Sequence, residues 1–350
     1  MNVLGSGGSN QVVATLVHGK KHLSYVEFKP VWDKDIPDLD NTLNFLTVLS
    51  FGVQSDLNWA APLAVVTAIF RACFLGEAIQ LPLGGNNPAG VLGQISGMLE
   101  LAEQIERGDC PDPDAVYVAV GSSCTVSGLI LGVALARHLK MRAFLKPNFS
   151  INAMPIHEYS AWAERDFKLH SSWVGGFMPL TIRHTVQSTC AALRRLGGPD
   201  LLALALQVMR ENLRLDCDAD IVGIYGGHSD ISRTAAAAYD SSGEVQAQGD
   251  GAQSVPPLWL CGHFAAKPFT VMLADLEAKP DHVALFWQTK SAVQPRSGAA
   301  NEFERLQGMP GAVQDWANEG RAESTLRKGS VSTNGSSADY RHLMTLLDEE

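Results

Sequence analysis

The 350-residue chain is 46% hydrophobic and 18% charged, enough apolar material to fill the cores of two domains. Its net charge of −10 at pH 7, with no cluster of Lys or Arg, excludes a general nucleic-acid-binding surface. The longest apolar run, Trp59 to Leu75, is broken by Pro62 and Arg71 and is too short to span a bilayer, so the chain reads as soluble with no membrane partner.

In chain order, Ser9 and Asn10 precede a helical pattern, VVATLVHG, which leads to the strand pattern HLSYVEF. A Pro- and Asp-rich segment follows, then helices NTLNFLTVLSFG, closed by Gly52, and APLAVVTAIFRACFLG, closed by Gly76. Such alternation predicts an open parallel sheet. From Leu81 onward the pattern continues with the turn LPLGGNN, helix AGVLGQISGMLELAEQIER and strand AVYVAV over 115–120. Helix TVSGLILGVALARHL, strand MRAFLKP and a Trp- and His-containing stretch from Asn148 to Trp173 come next. The remaining elements are helices VQSTCAALRRL and PDLLALALQVMREN, strand DADIVGIY and helix ISRTAAAAY. Ser241 to Pro256 is Gly/Ser-rich and predicts an exposed insertion loop, and 297–350 reads as a polar, loosely ordered tail.

The strand AVYVAV is continuously apolar, as a parallel strand covered on both faces should be. Gly121-Ser122-Ser123-Cys124-Thr125 then opens a helix. Main-chain N–H groups at such a helix start, flanked by hydroxyls, form a phosphate site; a tight turn alone is the competing reading. A helix start also lowers a thiol's pKa, but Cys124 reads as a buried, inert thiol before a reactive one. Six cysteines (73, 110, 124, 190, 217 and 261) show no metal-ligand spacing and read as reduced thiols of a non-secreted, cytoplasmic protein. MNVLGSGGSN has neither a basic nor an apolar signal region.

The pair LGGNNPAGVLG…ELAEQ and VAVGSSCTVSGLILG resembles the D-cysteine desulfhydrase and 1-aminocyclopropane-1-carboxylate deaminase family. Gly7-Gly8-Ser9-Asn10-Gln11 resembles that family's Gly-Gly-x-x-Ser-Asn-His loop, and ALFWQT over 284–289 resembles its last cofactor-facing strand. The matches occur in the family's order and span residues 1 to 295. The resemblance implies a two-domain α/β protein with open parallel sheets, fold type II of the pyridoxal-phosphate enzymes (tryptophan-synthase-β-like). It divides the chain into a smaller domain over 1–83, a larger cofactor domain over 84–296 and the tail. It further implies pyridoxal phosphate as cofactor, a small amino acid as substrate and a homodimeric assembly.

By the same resemblance, Gly121, Ser122, Ser123, Cys124 and Thr125 hold the phosphate, Asn10 meets the phenolic oxygen and Thr289 faces the ring nitrogen. Ser9, with Tyr225 or His228 of the loop Tyr225-Gly226-Gly227-His228-Ser229, takes the catalytic places. Read on their own, Ser9 and Asn10 are equally good helix N-caps, and His228 is equally a solvated loop residue.

Three departures bear on this. Two family glycines are Ser123 and Cys124, which requires ordinary backbone angles there. The family's His is Gln11, which cannot titrate near neutral pH. The family's Schiff-base Lys, upstream of the Ser-Asn loop, has no counterpart; Lys20 and Lys21 read as helix-end cations and Lys290 as a solvated strand end. The chain therefore reads as N-terminally incomplete relative to the family, with any organellar leader lost alongside, or as a relative without the covalent step. The expected reaction is β-elimination or deamination of a small amino acid, with D-cysteine favoured. The alternative is a non-catalytic or truncated chain binding a phosphate-bearing ligand. A Rossmann nucleotide binder fits poorly, because no Gly-x-Gly-x-x-Gly turn precedes a suitably spaced acid.

Overall fold

The computed structural model describes residues 2–5, 15, 27–30, 80–81, 83–156, 178–215, 218–223, 227–247, 260–262, 264–289 and short pieces between 311 and 319. The chain divides into two units. The first comprises Met1–Gly84, Ser254–Trp259 and Lys290–Glu350, and the second Gly85–Gln253 and Leu260–Thr289.

In the first unit, β1 (Asn2–Gly5) pairs in parallel with β2 (Glu27–Pro30) on one side and β3 (Gln80–Leu81) on the other. The helices expected over 41–52 and 61–76 lie outside the described residues.

The second unit is built on a four-stranded parallel sheet in the order β6-β5-β4-β7. Its strands are β4 (Ala115–Val120), β5 (Ser150–Pro155), β6 (Leu213–Leu215) and β7 (Ala284–Trp287). All six residues of β4 are buried, matching their unbroken apolar run. Helix α1 (Pro88–Arg107) buries Val91, Ile95, Met98, Leu101 and Ala102 along one stripe. It stops where Gly108 turns left-handed at φ 78°, with the Gly108 N–H on the Ile105 carbonyl. Helix α2 (Cys124–His138) is buried along most of its length. A Cβ on Gly132 would strike the Met98 side chain, so this glycine sets how closely α1 and α2 approach.

Helices α3 (Met178–Arg195) and α4 (Leu202–Glu211) join α1 and α2 in the main core with Val116, Val118 and Val120. The remaining helices are α5 (Ala219–Val222), α6 (Asp230–Ala247) and α7 (Ala266–Ala278). Helix α7 covers the other side of β4: Tyr117 donates its hydroxyl to Asp275 at 2.7 Å, and Phe269 meets Phe286 of β7 edge-on at 5.4 Å. Among the described residues no helix is long and apolar enough to cross a membrane.

Three local expectations are corrected. MRAFLKP is not a strand: the chain turns there, with Lys140 at φ 60° and Phe144 at φ 61°. Phe144 is fixed instead by its N–H on Asp112 and by Arg137 on its carbonyl. The strand lies further on, at Ser150–Pro155. Where the strand DADIVGIY was expected, Ala219–Val222 forms the short helix α5, with Asp218 accepting from the Asp220 N–H at its start. Helix α6 runs to Ala247, into the segment read as an insertion loop.

Candidate functional site

From β4 the chain moves outward to β5 and then β6, and returns to place β7 on the other flank of β4. The direction of winding therefore reverses between β4 and β7, and in open α/β sheets ligands bind beyond the carboxyl ends of the strands at such a switch point. The segments leaving the sheet there are Gly121–Ser123 after β4, Ile156 after β5 and Gln288-Thr289 after β7. Val118 pairs with Trp287, so extending that register sets Thr289 level with Val120. The Thr289 residue is exposed.

Gly121 is closely approached by Ile156: a Cβ there would lie 3.1 Å from Ile156 Cδ1, which would have to shift slightly, and 3.5 Å from Phe264 Cε1, an ordinary contact. Ser123 caps α2 by position only. Its backbone is left-handed, at φ 71°, and its hydroxyl turns away to Met178 Sδ at 3.1 Å instead of reaching back to the first turn. The ordinary backbone angles expected at this position are thus corrected: Ser123 adopts the left-handed region at a cost of about 1–2 kcal/mol. Ser122 Oγ lies 3.5 Å from the Cys124 N–H, and Ser122 and Thr125 are both half-buried. The arrangement leaves a helix start uncapped by its N-cap side chain, with Ser122 and Thr125 beside it.

Cys124 Sγ donates to the Gly85 carbonyl at 3.5 Å, and burial pushes its thiol up to about 11. Gly84 and Gly85 both adopt positive φ, at 62° and 66°, the glycine-specific bend that brings this carbonyl over α2. The next two residues serve the fold. Asn86 Oδ1 accepts from Thr185 at 2.9 Å, and Asn87 Oδ1 caps α1 through the Gly90 N–H at 2.9 Å.

His228 is half-buried, with Nδ1 3.4 Å from Ser232 Oγ. Its ring and main chain fill the space where a Gly262 side chain would stand, which sets it beside the approach to α7. Ser229 Oγ accepts from the Ser232 N–H and caps α6. Ser9, Asn10 and Tyr225 lie outside the described residues.

One residue escaped the sequence reading. Lys267, in the first turn of α7, is fully buried, and its Nζ donates to the Ile156 carbonyl at 3.3 Å, just beyond β5. The available signal was its place within FAAKPFTVML, a lysine inside an otherwise apolar run.

At the opposite edge of the sheet, Asp114 joins three strand starts. It takes the Lys146 ammonium at 2.6 Å and the Val283 N–H at 2.8 Å, while its carbonyl accepts from Ser150 at 3.0 Å. The Lys146 contact holds its carboxyl below the usual aspartate range. This network is structural and lies away from the switch-point loops.

No protein-family model matches the sequence, and no curated protein matches it. Among solved structures it is similar to an ACC deaminase homologue, at 16% identity and TM-score 0.51, covering 88% of this chain and 78% of that one. A T.th. threonine deaminase follows, at 16% identity and TM-score 0.46, with coverage of 83% and 79%. Maize serine racemase aligns at 13% identity and TM-score 0.40, with coverage of 82% and 71%. At these identities the likeness is one of fold, and the first of the three carries it.

Proposed function

We propose that this chain, whose α/β fold with open parallel sheets is similar to that of an ACC deaminase homologue, binds pyridoxal phosphate and acts on a small amino acid by β-elimination or deamination, with D-cysteine favoured over a cyclopropane amino acid. The observation that carries the reading is the start of α2, where Ser123 turns its hydroxyl to Met178 and makes no side-chain cap, so that an anion can take first-turn N–H groups beyond that of Cys124, which meets Ser122 Oγ.

The residues fit the anionic end of such a cofactor. The α2 start supplies N–H donors, Ser122 and Thr125 supply hydroxyls, and Gly121 keeps the loop close to the sheet. Thr289 is the neutral partner proposed for the ring nitrogen, Asn10 for the phenolic oxygen, and Ser9, Tyr225 and His228 for handling substrate and proton. The cofactor, when bound, supplies an electron sink for the substrate's α-carbon. The chain's own part is to orient it, shield it from water and move a proton. A neutral partner at the ring nitrogen and Gln11 in place of a titrating His leave modest acid–base help. That favours a substrate with a good thiolate leaving group.

The test is equilibrium dialysis of the full chain with pyridoxal phosphate, followed by assay of sulfide from D-cysteine and ketobutyrate from the cyclopropane substrate. Thr125→Val removes one hydroxyl donor to an anion and is expected to weaken binding about tenfold, the size of one charged hydrogen bond. Inorganic phosphate is expected to compete. Unchanged affinity in Thr125→Val, or no binding by the native chain, overturns the phosphate assignment; ketobutyrate without sulfide overturns the substrate preference.

A further inference from the structure

Serine is among the best helix N-caps, because its hydroxyl accepts from the N–H of the second or third helical residue while its own backbone stays extended. Ser123 stands at that position before α2 and does neither. Its backbone is left-handed, at φ 71° and ψ −4°, and it forms no side-chain cap. A side chain in that region is strained. Among the described residues, the N–H groups of Thr125 and Val126, the second and third of α2, meet no acceptor. An extended, capping Ser123 would relieve the strain and satisfy one of those donors. Something else in the fold holds the residue where it is.

The hydroxyl points to what holds it. Ser123 Oγ donates to Met178 Sδ, on the first residue of α3, at 3.1 Å. Ser123 is buried, so its hydroxyl does not turn to solvent instead. A thioether sulfur is a weak acceptor, and such a contact counts only where the surroundings fix it. They do so here. Thr185 of α3 donates to Asn86 at 2.9 Å, and the neighbouring Gly85 carbonyl accepts from Cys124 at 3.5 Å. Helix α3, the bend before α1 and the first turn of α2 are thereby bonded together, with Met178 set against Ser123.

We propose that Met178 is a positioning residue: its sulfur holds Ser123 in the uncapped conformation and so keeps the Thr125 and Val126 N–H groups open to an anion. For the identity of that anion, the proposal rests on the phosphate reading above. Ser123 has two positions. In one, its hydroxyl lies on Met178 and the start of α2 is open. In the other, its backbone is extended and the hydroxyl caps the first turn, occupying a donor that the anion would use. The anion binds the open position, so its apparent affinity falls with the open fraction. The sulfur contact tips that balance.

Met178→Leu keeps the volume and removes the acceptor. Two measurements on the full chain test it: single-residue amide hydrogen exchange by NMR without ligand, and equilibrium dialysis with radiolabelled inorganic phosphate. In Met178→Leu, the Thr125 or Val126 amide is expected to exchange about fivefold more slowly than in the native chain. Phosphate is expected to bind about fivefold more weakly, the size of one neutral hydrogen bond. Ser123→Gly has no hydroxyl to cap with and takes the left-handed region freely. It is expected to bind phosphate at least as well as the native chain, and adding Met178→Leu to it is expected to change neither measurement. Unchanged exchange in Met178→Leu overturns the positioning role and leaves the phosphate reading intact. So does an equal loss of affinity when that change is made in Ser123→Gly, or weaker phosphate binding by Ser123→Gly alone. Slower exchange in Met178→Leu, with no phosphate bound by the native chain, supports the hold of Met178 on Ser123 and overturns the phosphate reading.

Discussion

The thiol of Cys124 lies 3.5 Å from the carbonyl oxygen of Gly85 and donates to it, tying the first turn of α2 to the bend that precedes α1. A sulfur engaged in this way, and desolvated as well, is a structural group even though it stands at a helix start. Two opposing influences act on it: the helix end favours the thiolate, and burial favours the thiol. Burial wins, and the group titrates only at about 11.

Alkylation therefore discriminates among the cysteines. In the native chain near neutral pH, half-buried Cys110 is expected to react with iodoacetamide well before Cys124 or Cys190, whose thiols burial pushes to about 11 in both cases. Peptide mapping after a short exposure reads the order. Faster labelling of Cys124 than of Cys110 contradicts the buried-thiol assignment.

Ser123 carries a left-handed backbone that a glycine adopts without strain. Ser123→Gly is expected to relieve roughly 1 kcal/mol, offset in part by the greater freedom of the unfolded chain and by loss of the contact to Met178. Ser123→Val, branched at Cβ, is expected to destabilise by more than about 1 kcal/mol. Urea midpoints of the two variants check the contrast, and a glycine variant less stable than the valine variant refutes it.

Asp114 sets a pH dependence. Its folded pKa lies below the ordinary value of 3.8, with the Lys146 hydrogen bond as the largest cause. A depressed carboxylate adds stability that is fully present above its unfolded pKa and is lost as pH falls through the folded value. Stability is thus expected to fall below about pH 4, and Asp114→Asn to be less stable at neutral pH with a flatter acid limb. Urea midpoints measured across that range decide. An acid limb equally steep in the variant sinks the assignment.

The parts legible in the sequence were those where one local signal dominates. An unbroken apolar run gave β4, a stripe of apolar residues with Asn87 and Pro88 at its start gave α1, and the glycine-to-hydroxyl transition gave the start of α2. Where partners distant in sequence decide, the reading failed. β5 is interrupted by Ser150 and Asn152, and its strand state comes from pairing with β4 on one side and β6 on the other. MRAFLKP looks extended, but Asp112 and Arg137 seize the backbone of Phe144 and turn it. Lys267 was missed because lysine is ordinarily a surface residue, and nothing local announces that one has been drawn inside.

The sheet order has a consequence for how the molecule is made. Asp114 and Val283, which bond at the starts of β4 and β7, are 169 positions apart in the chain. During synthesis, one hydrogen-bonding edge of the most apolar strand has no partner until that whole distance has been translated. An unpaired strand edge is a template for intermolecular pairing, and parallel pairing at such range is slow to close. The nascent chain is therefore most exposed to aggregation in the interval before β7 emerges, and shelter by a chaperone matters most at that stage.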